Sequence, residues 1–368
     1  MFKKIFIIST VFAALFYTLA SLTSYITALD FWPMTFLALG FPLVFAGYIF
    51  LIICWFFIHK RTALVLFVLL WVGHKNIFST FAFHFPQKQF SKKDSNSLRI
   101  LSWNVNYFFN SSIHADSANA PRRLILNYIK KINPDVIVFQ DYVNYETEGV
   151  YSNIDVFKDS LGYKYFYFGV DYFTKAEGSK ISYGNPVFSK YPITDTGLVQ
   201  YPKFFYNENL AFADIRYQNK NFRVFNTHLL SMNLNSKEEQ FEDPVFKNFD
   251  EKFIFTATKF QKLKRFDKHH VSEALVAQKA IQQSPYPIIF CGDFNSIPAS
   301  STYQIIRGNL NDSFVEQGFG FGGTYANLTS RLRIDYILTD KKLKVVNYFR
   351  DKVPYSDHFP VVCDIQWK

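Results

Sequence analysis

The chain has 368 residues, 49% of them hydrophobic and 20% aromatic, with three cysteines and a formal net charge of +10. Cys54, Cys291 and Cys363 are too few and too widely spaced for a disulfide framework or a zinc pattern, and they read as small buried apolar side chains. Lys3, Lys4, Lys60, Arg61, Lys75 and Lys88 against Asp30 put half of the net charge in residues 1–90. The rest is compatible with a phosphate-bearing substrate but too thin to argue for nucleic acid by itself.

The chain begins with an almost uncharged region, residues 1–86. Ile5–Leu29 carries no charge and follows Lys3-Lys4, and a second apolar stretch runs from Thr35 to Ile58. Each is long enough to cross a hydrocarbon core of about 30 Å at about 1.5 Å per helical residue. Pro33 and Pro42 are tolerable near a helix start or against neighbouring helices. The first stretch is too long for the apolar core of a cleaved signal peptide, and a second span follows directly. Thr62–Val72 opens a third stretch, which His74 and Lys75 interrupt before Ile77–Phe85. Lys3-Lys4 and Lys60-Arg61 are placed in the cytoplasm by the positive-inside rule. Three spans then put the remainder of the chain outside the cytoplasm, and two spans would keep it inside. Three are favoured, giving an integral membrane protein in contact with the lipid bilayer. Residues 87–97, polar and rich in Lys and Ser, read as a linker.

Residues 98–368 read as a globular domain. Strands are expected at Leu98–Val105, Asp135–Gln140, Asn221–Thr227, Pro287–Cys291, Ile334–Leu338 and Val361–Trp367. Pro121 suits a first helical position, and Ile125, Ile129 and Ile132 continue that helix to Asn133-Pro134. A longer helix is expected over Thr258–Gln283. Its basic run Lys259, Lys262, Lys264, Arg265 and Lys268 reads as a solvated face, and His269-His270 diverge too far on a helix to share a metal. Aromatics at Tyr163–Phe173 and Phe204–Tyr206 read as packing. The mixture of strands with few helices argues for an α/β (α+β) sandwich.

Polar residues interrupt these strands at their ends: Ser102-Trp103-Asn104, Gln140-Asp141, Asn226-Thr227-His228, Gly292-Asp293-Phe294-Asn295, Arg333-Ile334-Asp335-Tyr336 and Ser356-Asp357-His358-Phe359-Pro360. Strand ends on one sheet edge present side chains from distant parts of a chain to one pocket. Carboxylates there suit Mg2+, which keeps waters and bridges to phosphate. Imidazoles and amides supply donors for phosphate oxygens.

This ordered series resembles the motifs of the endonuclease/exonuclease/phosphatase superfamily, which includes DNase I-like nucleases, abasic-site endonucleases, neutral sphingomyelinases and inositol polyphosphate 5-phosphatases. The resemblance covers essentially all of residues 98–368, and the apolar start is similar to that of bacterial membrane-linked members. It implies a four-layer sandwich of two packed mixed β-sheets flanked by helices, preceded here by N-terminal transmembrane helices. It implies Mg2+, or Mn2+ in its place, held by Asn104 and Asp141, with Asp357 as a further ligand. It implies that Asp293 orients or deprotonates the attacking water and that Asn295 helps position it. His358 would contact the scissile phosphate with Asp335 fixing its tautomer, and His228 would contact phosphate or assist the leaving group. Two departures stand out. The family usually has Glu where Asp141 stands, and some of its nucleases have Asp where this chain has Asn106, which keeps only a supporting place near the metal.

The function expected is hydrolysis of phosphodiesters, of nucleic acid first and of phospholipid, as in sphingomyelinases, second. The reading from another class is a catalytically silent binding protein of the same fold, and Asp141 is its main support. Against it, a domain relieved of catalysis has no physical reason to keep these costly polar groups together.

Overall fold

The structure, a computed structural model, describes residues 2–84, 93–109, 120–147, 152–176, 178–203, 208–232, 258–326 and 332–368. Residues 87–92 of the expected linker and the aromatics Phe204–Tyr206 lie outside these residues. The chain divides into two compact units, one of Met1–Phe81, Met232–Val271 and Ser296–Ile305, the other of Ala82–Ser231, Ser272–Asn295 and Ile306–Lys368.

The first unit is helical. Its α1 (Phe2–Ser21), α2 (Met34–Ile58), α3 (Lys60–Leu69) and α4 (His74–Thr80) form three stretches long and apolar enough to cross a membrane, Lys3–Ser24, Met34–Ile58 and Lys60–Thr80. The third is broken by a 3-10 turn, Leu70–Gly73, where the sequence pattern weakens before His74. At that break the Leu70 carbonyl accepts a hydrogen bond from the Tyr17 hydroxyl (2.7 Å). Gly73 leaves room for it, since a Cβ there would stand 2.2 Å from the Tyr17 oxygen. Trp55 Nε1 donates to Thr10 Oγ1 (2.9 Å) and the Tyr48 hydroxyl to the Leu66 carbonyl (3.0 Å), so these two polar groups find partners within the bundle.

The first helix ends at Ser21, short of the Leu29 expected, because Ser21, Thr23 and Ser24 carry hydroxyls that compete for backbone groups. A buried polar cluster follows from that. Asn76 Nδ2 donates to the Ala20 carbonyl (3.0 Å) and to Thr23 Oγ1 (2.9 Å), and its Oδ1 accepts from the Ser24 hydroxyl. Thr23 Oγ1 donates to the Ala299 carbonyl (2.8 Å), and Ser79 Oγ and Gln304 Nε2 both donate to the Pro298 carbonyl (3.1 and 3.0 Å). The same unit holds the start of the helix Lys259–Gln282. Lys262, read as part of a solvated face, is buried there.

The second unit is a two-sheet sandwich. In chain order its strands are β1 (Ala82–Phe83), β2 (Leu98–Asn104), β3 (Val136–Gln140), β4 (Tyr142–Glu146), β5 (Tyr165–Ala176), β6 (Ser179–Ser189), β7 (Ile193–Gln200) and β8 (Asn209–Tyr217). They continue with β9 (Lys220–His228), β10 (Ile288–Asp293), β11 (Asn311–Asp312), β12 (Phe319–Gly320), β13 (Asp335–Thr339), β14 (Leu343–Arg350) and β15 (Val361–Trp367). One sheet has the order β14-β15-β2-β3-β6-β4, with β5 also on β6, and the other β11-β13-β10-β9-β8-β7. Both are mixed: β2 and β3 are parallel, as are β9 and β10, and the remaining pairs of each sheet are antiparallel.

Strand periodicity decides what each face meets. Leu98 and Ile100 of β2, Val136 and Val138 of β3, Val224 of β9, Ile289 and Cys291 of β10 and Ile337 of β13 share the core between the sheets. The alternate residues Leu101, Trp103, Ile137 and Phe139 face outward and pack with Ile125, Ile129 and Ile132 of α5 (Ala120–Ile132). Sheets on sheets with helices outside form the mixed α/β sandwich expected. Cys291 and Cys363 are buried in the inter-sheet core, where burial pushes both thiols well above their ordinary range. Six strands coincide with expected segments to within about two residues. The strands β4 to β8 and β14 were not foreseen. Pairs such as Tyr165-Phe166 and Tyr172-Phe173 in β5 put aromatics on both faces, so no alternation marks that strand.

Candidate active site

The period-2 pattern that fills the core does not stop at its edge. Ser102 and Asn104 continue the face of Ile100, Gln140 that of Val138, Asn226 and His228 that of Val224, Asp293 that of Cys291, and Asp335 that of Ile337. One edge of the inter-sheet layer is therefore polar. Gln140 Nε2 donates across the sheets to Asn226 Oδ1 (2.6 Å), and Asn226 Nδ2 donates to the Phe139 and Pro186 carbonyls (2.8 and 2.9 Å). This neutral layer separates the apolar core from the charged groups beyond it.

Strand register assembles those charged groups. On the parallel side of β10, Asp293 pairs with His228, and on its antiparallel side with Asp335. Gly292 permits this approach. Its φ is +154°, and a Cβ there would lie 2.1 Å from the Thr227 carbonyl. In the other sheet Asn104 lies opposite Gln140, which places Asp141 one residue further on. Asn104 Nδ2 then reaches both carboxylates, Asp141 Oδ2 at 3.0 Å and Asp293 Oδ2 at 3.1 Å, the second across the sheets. Ser356 and Trp103 tie the loop before β15 to this edge, through Ser356 Oγ to the Asn104 carbonyl (2.9 Å) and Trp103 Nε1 to the His358 carbonyl (2.9 Å).

Asp293 is the centre of the arrangement. It is 1% exposed, and its Oδ2 stands 3.6 Å from His358 Nε2 and 3.8 Å from His228 Nε2. Its other oxygen accepts the Asn295 N–H (2.8 Å). Burial pushes its pKa up to about 6; Asp335 adds to that, and the two imidazoles oppose it. His358 Nδ1 faces Asp335 at 3.0 Å. Burial by itself would lower the His358 pKa, but the carboxylates of Asp335 and Asp293 outweigh it and push it up to about 10. His228 is likewise pulled down by burial and raised, with a net rise, by Asp141, Glu208 and Asp293. Asp357, half-buried, has its pKa raised by burial and by Asp141, while His358 opposes the rise.

Strain collects at the same edge. Asn106, Tyr107 and Phe108 have φ of 44°, 53° and 61°, Asp141 47° and Asn295 45°. Non-glycine residues reach this region at a cost, Asn and Asp least. The backbone at position 141 therefore suits the shorter acid. The backbone N–H of Asn106 donates to Asn104 Oδ1 (3.0 Å).

All eight residues singled out from the sequence, Asn104, Asp141, His228, Asp293, Asn295, Asp335, Asp357 and His358, thus lie along one edge of the sandwich. Four carboxylates against two imidazoles is a donor set that calls for a cation, and hard oxygens suit Mg2+. Asn104, Asp141 and Asp357 have the chemistry to hold it, and solvent reaches both carboxylates. Among the described residues, Asp293, Asp335 and His358 also bring ligand atoms within 4.8 Å of one another. The Asp335–His358 contact there is a carboxylate–imidazole hydrogen bond. Sequence reasoning missed Glu208, 3.5 Å from His228 Nδ1, and the buried acids Asp171 and Glu273, which feel the charges of both. None sits in a motif; the one signal was an acid directly before the apolar run of β8.

A family model described as "Endonuclease/Exonuclease/phosphatase family" matches residues 101–358. A second, described as "Domain of unknown function (DUF8431)", matches residues 3–80. No curated protein matches the chain. Among solved structures it is similar to the human Nocturnin catalytic domain with bound sulfate anion, at 16% identity and a TM-score of 0.52 over 75% of this chain and 97% of that one. It is similar to an endonuclease/exonuclease/phosphatase from Beutenbergia cavernae, at 18% identity and a TM-score of 0.51 over 74% of this chain and 72% of that one. It is also similar to D. rerio TDP2 complexed with single-strand DNA product, at 18% identity and a TM-score of 0.50 over 74% of this chain and all (100%) of that one. At these identities the likeness is one of fold.

Proposed function

The chain belongs to the endonuclease/exonuclease/phosphatase family, whose members hydrolyse phosphate esters, and within it we propose a membrane-anchored, Mg2+-dependent phosphodiesterase. The observation that carries this reading is Asp293, buried between two imidazoles, with the Asn104 amide bridging it to Asp141. The division of labour is an anchor over residues 1–86, a linker over 87–97 and a catalytic domain over 98–368.

Asp293 is placed to take a proton from an attacking water, and its pKa near 6 suits a base working at neutral pH. Asn295, held by Asp293 through its own N–H, positions that water or a phosphate oxygen. His358, kept cationic by Asp335, offers Nε2–H to the scissile phosphate where negative charge grows. His228 faces the same carboxylate from the opposite side and serves a phosphate oxygen or the leaving group. Asn104, Asp141 and Asp357 would hold Mg2+, or Mn2+ in its place. When bound, such an ion neutralises phosphate charge and eases departure of the leaving oxygen.

Nucleic acid is the first substrate class, supported by family membership and by the fold shared with a TDP2 that binds a DNA product. A phospholipid headgroup, cleaved as in sphingomyelinases, is the second reading, favoured by the three membrane-length helices. Lys3-Lys4 and Lys60-Arg61 in the cytoplasm, with three spans, place the catalytic domain outside it. Protease digestion of the domain in intact cells tests that side, and protection would reverse it.

The decisive experiment uses the full chain in detergent with a small phosphodiester, plasmid DNA and sphingomyelin side by side, with and without Mg2+. Turnover that needs both metal and Asp293 is expected. Absence of turnover on all three, with Mg2+ or Mn2+, would favour a silent binding protein of this fold.

A further inference from the structure

A groove of about 510 Å³ runs between α1 and α3 of the helical unit. Ile7, Val11, Ala14 and Thr18 recur at helical spacing along one wall, and Thr62, Leu66 and Leu69 along the other. Trp55 of α2, which is buried, also lines it. Its Nε1 is held by Thr10 Oγ1 (2.9 Å), and the Thr10 and Thr18 hydroxyls donate to the Phe6 and Ala14 carbonyls (both 2.8 Å). These polar atoms close on the helices, so the wall they belong to is apolar. Val11 and Leu15 are more than half exposed, so the groove opens outward.

Its length and its end say what fits. From Ile7 to Thr18 it runs about 16 Å at about 1.5 Å per residue, the depth of one leaflet of a hydrocarbon core about 30 Å thick. Lys3 and Lys4 stand one turn before Ile7 on the same face, and Lys60-Arg61 directly precede Thr62. Trp55 packs against Phe6 and bonds to Thr10, and that antiparallel register of α1 and α2 brings both basic pairs to one end of the groove. All four side chains are exposed. The one acid in residues 1–80, Asp30, follows the opposite end of α1.

We propose that the helical unit binds one anionic phospholipid, with an acyl chain in the groove between α1 and α3 and the phosphate on Lys3, Lys4, Lys60 and Arg61. The proposal rests on the membrane reading above, and with both basic pairs in the cytoplasm the lipid belongs to the cytoplasmic leaflet. Basic residues beside a groove between membrane helices on that side suit anionic headgroups. No residue of the candidate active site lines the groove, so this lipid is a resident ligand and not the substrate to be cleaved. A second copy packed there in parallel would set its own basic pairs against these, and like charges oppose that.

The test begins with membranes carrying the full chain, washed in alkaline carbonate. Release of the chain would remove the membrane reading and this proposal with it. The retained protein is purified and placed in phosphatidylcholine vesicles containing acyl-brominated phosphatidylglycerol or, in a parallel series, acyl-brominated phosphatidylcholine. Bromine quenches a tryptophan it touches, and the Trp55 share of the signal is the part missing from Trp55→Phe. Half-quenching of Trp55 is expected at about tenfold lower mole fraction of the brominated phosphatidylglycerol. That preference should vanish when Lys3, Lys4, Lys60 and Arg61 are all replaced by Gln. In Ala14→Leu, which keeps the charges and fills the groove, neither lipid should quench Trp55. Equal quenching by the two lipids in the wild type, or unchanged quenching in Ala14→Leu, would overturn the lipid site and leave the anchor standing. So would a wild-type Trp55 that neither lipid reaches, with α1 cross-linking to α1 of a second copy.

Discussion

Two buried polar clusters, one in each unit, are built in opposite ways. In the helical unit Thr23, Asn76 and Ser79 are neutral, and their donors end on backbone carbonyls and hydroxyls. At the sandwich edge Asp293, Asp335, His228 and His358 are ionisable, face one another and shift one another's pKa. Neutral groups that close on the backbone hold a structure together at a net gain of about 1 kcal/mol each. Buried charges that close on each other are expensive, and their partners tune them, which is where chemistry is found. The contrast says which cluster is scaffold and which is site.

The sharpest way to break it is Asp293→Asn, which should lower kcat by roughly 10³-fold or more while leaving thermal stability unchanged. Retained turnover would remove Asp293 from the mechanism and with it the distinction between the clusters. Next is Asp335→Asn. Loss of that carboxylate takes away the largest influence raising the His358 pKa from its value of about 10, so burial pulls it down. The imidazolium then deprotonates at lower pH. Activity at neutral pH should fall about 10²-fold, and the alkaline limb of the pH–rate profile should move towards neutrality. A limb that stays in place would show that His358 titration does not govern it.

Asn76→Ala probes the other cluster and should do the reverse. It removes three hydrogen bonds, two of them buried, so a stability loss of about 2 kcal/mol is expected as a lower melting temperature in detergent. The kcat of the folded fraction should stay within about twofold, because no charge near the site changes. A collapse of kcat without a loss of stability would make that cluster part of the site. The smallest effect is expected from Asp141→Glu. The longer acid restores the family's usual residue but must adopt φ near 47°, where Asp is better tolerated. Mg2+-dependent activity should be maintained or rise slightly. Complete loss would mean that the pocket is built around the shorter side chain.

The site was legible where polar residues interrupt a strand's alternation at its end. Asn104, His228, Asp293 and Asp335 each continue the parity of a core residue two or four positions away, so their direction followed from the strand alone. Glu208, Asp171 and Glu273 were not legible, because each stands in a stretch whose local pattern carries no motif. The lower half of β5 and its partner β6 were hidden for a related reason. Aromatics on both faces satisfy packing without producing a period.

What the sequence determined by itself was local and periodic: apolar runs of membrane length, strands of period two, and the order of the polar residues that end them. These follow from backbone geometry and from the cost of burying a charge. The tertiary structure decided which strand lies beside which. Pairing β10 with β9 on one side and β13 on the other sets Asp293 between His228 and Asp335, and stacking the sheets brings Asn104 across to meet it. Register and sheet stacking depend on contacts between residues far apart in the chain, so no single stretch of the sequence carries that information.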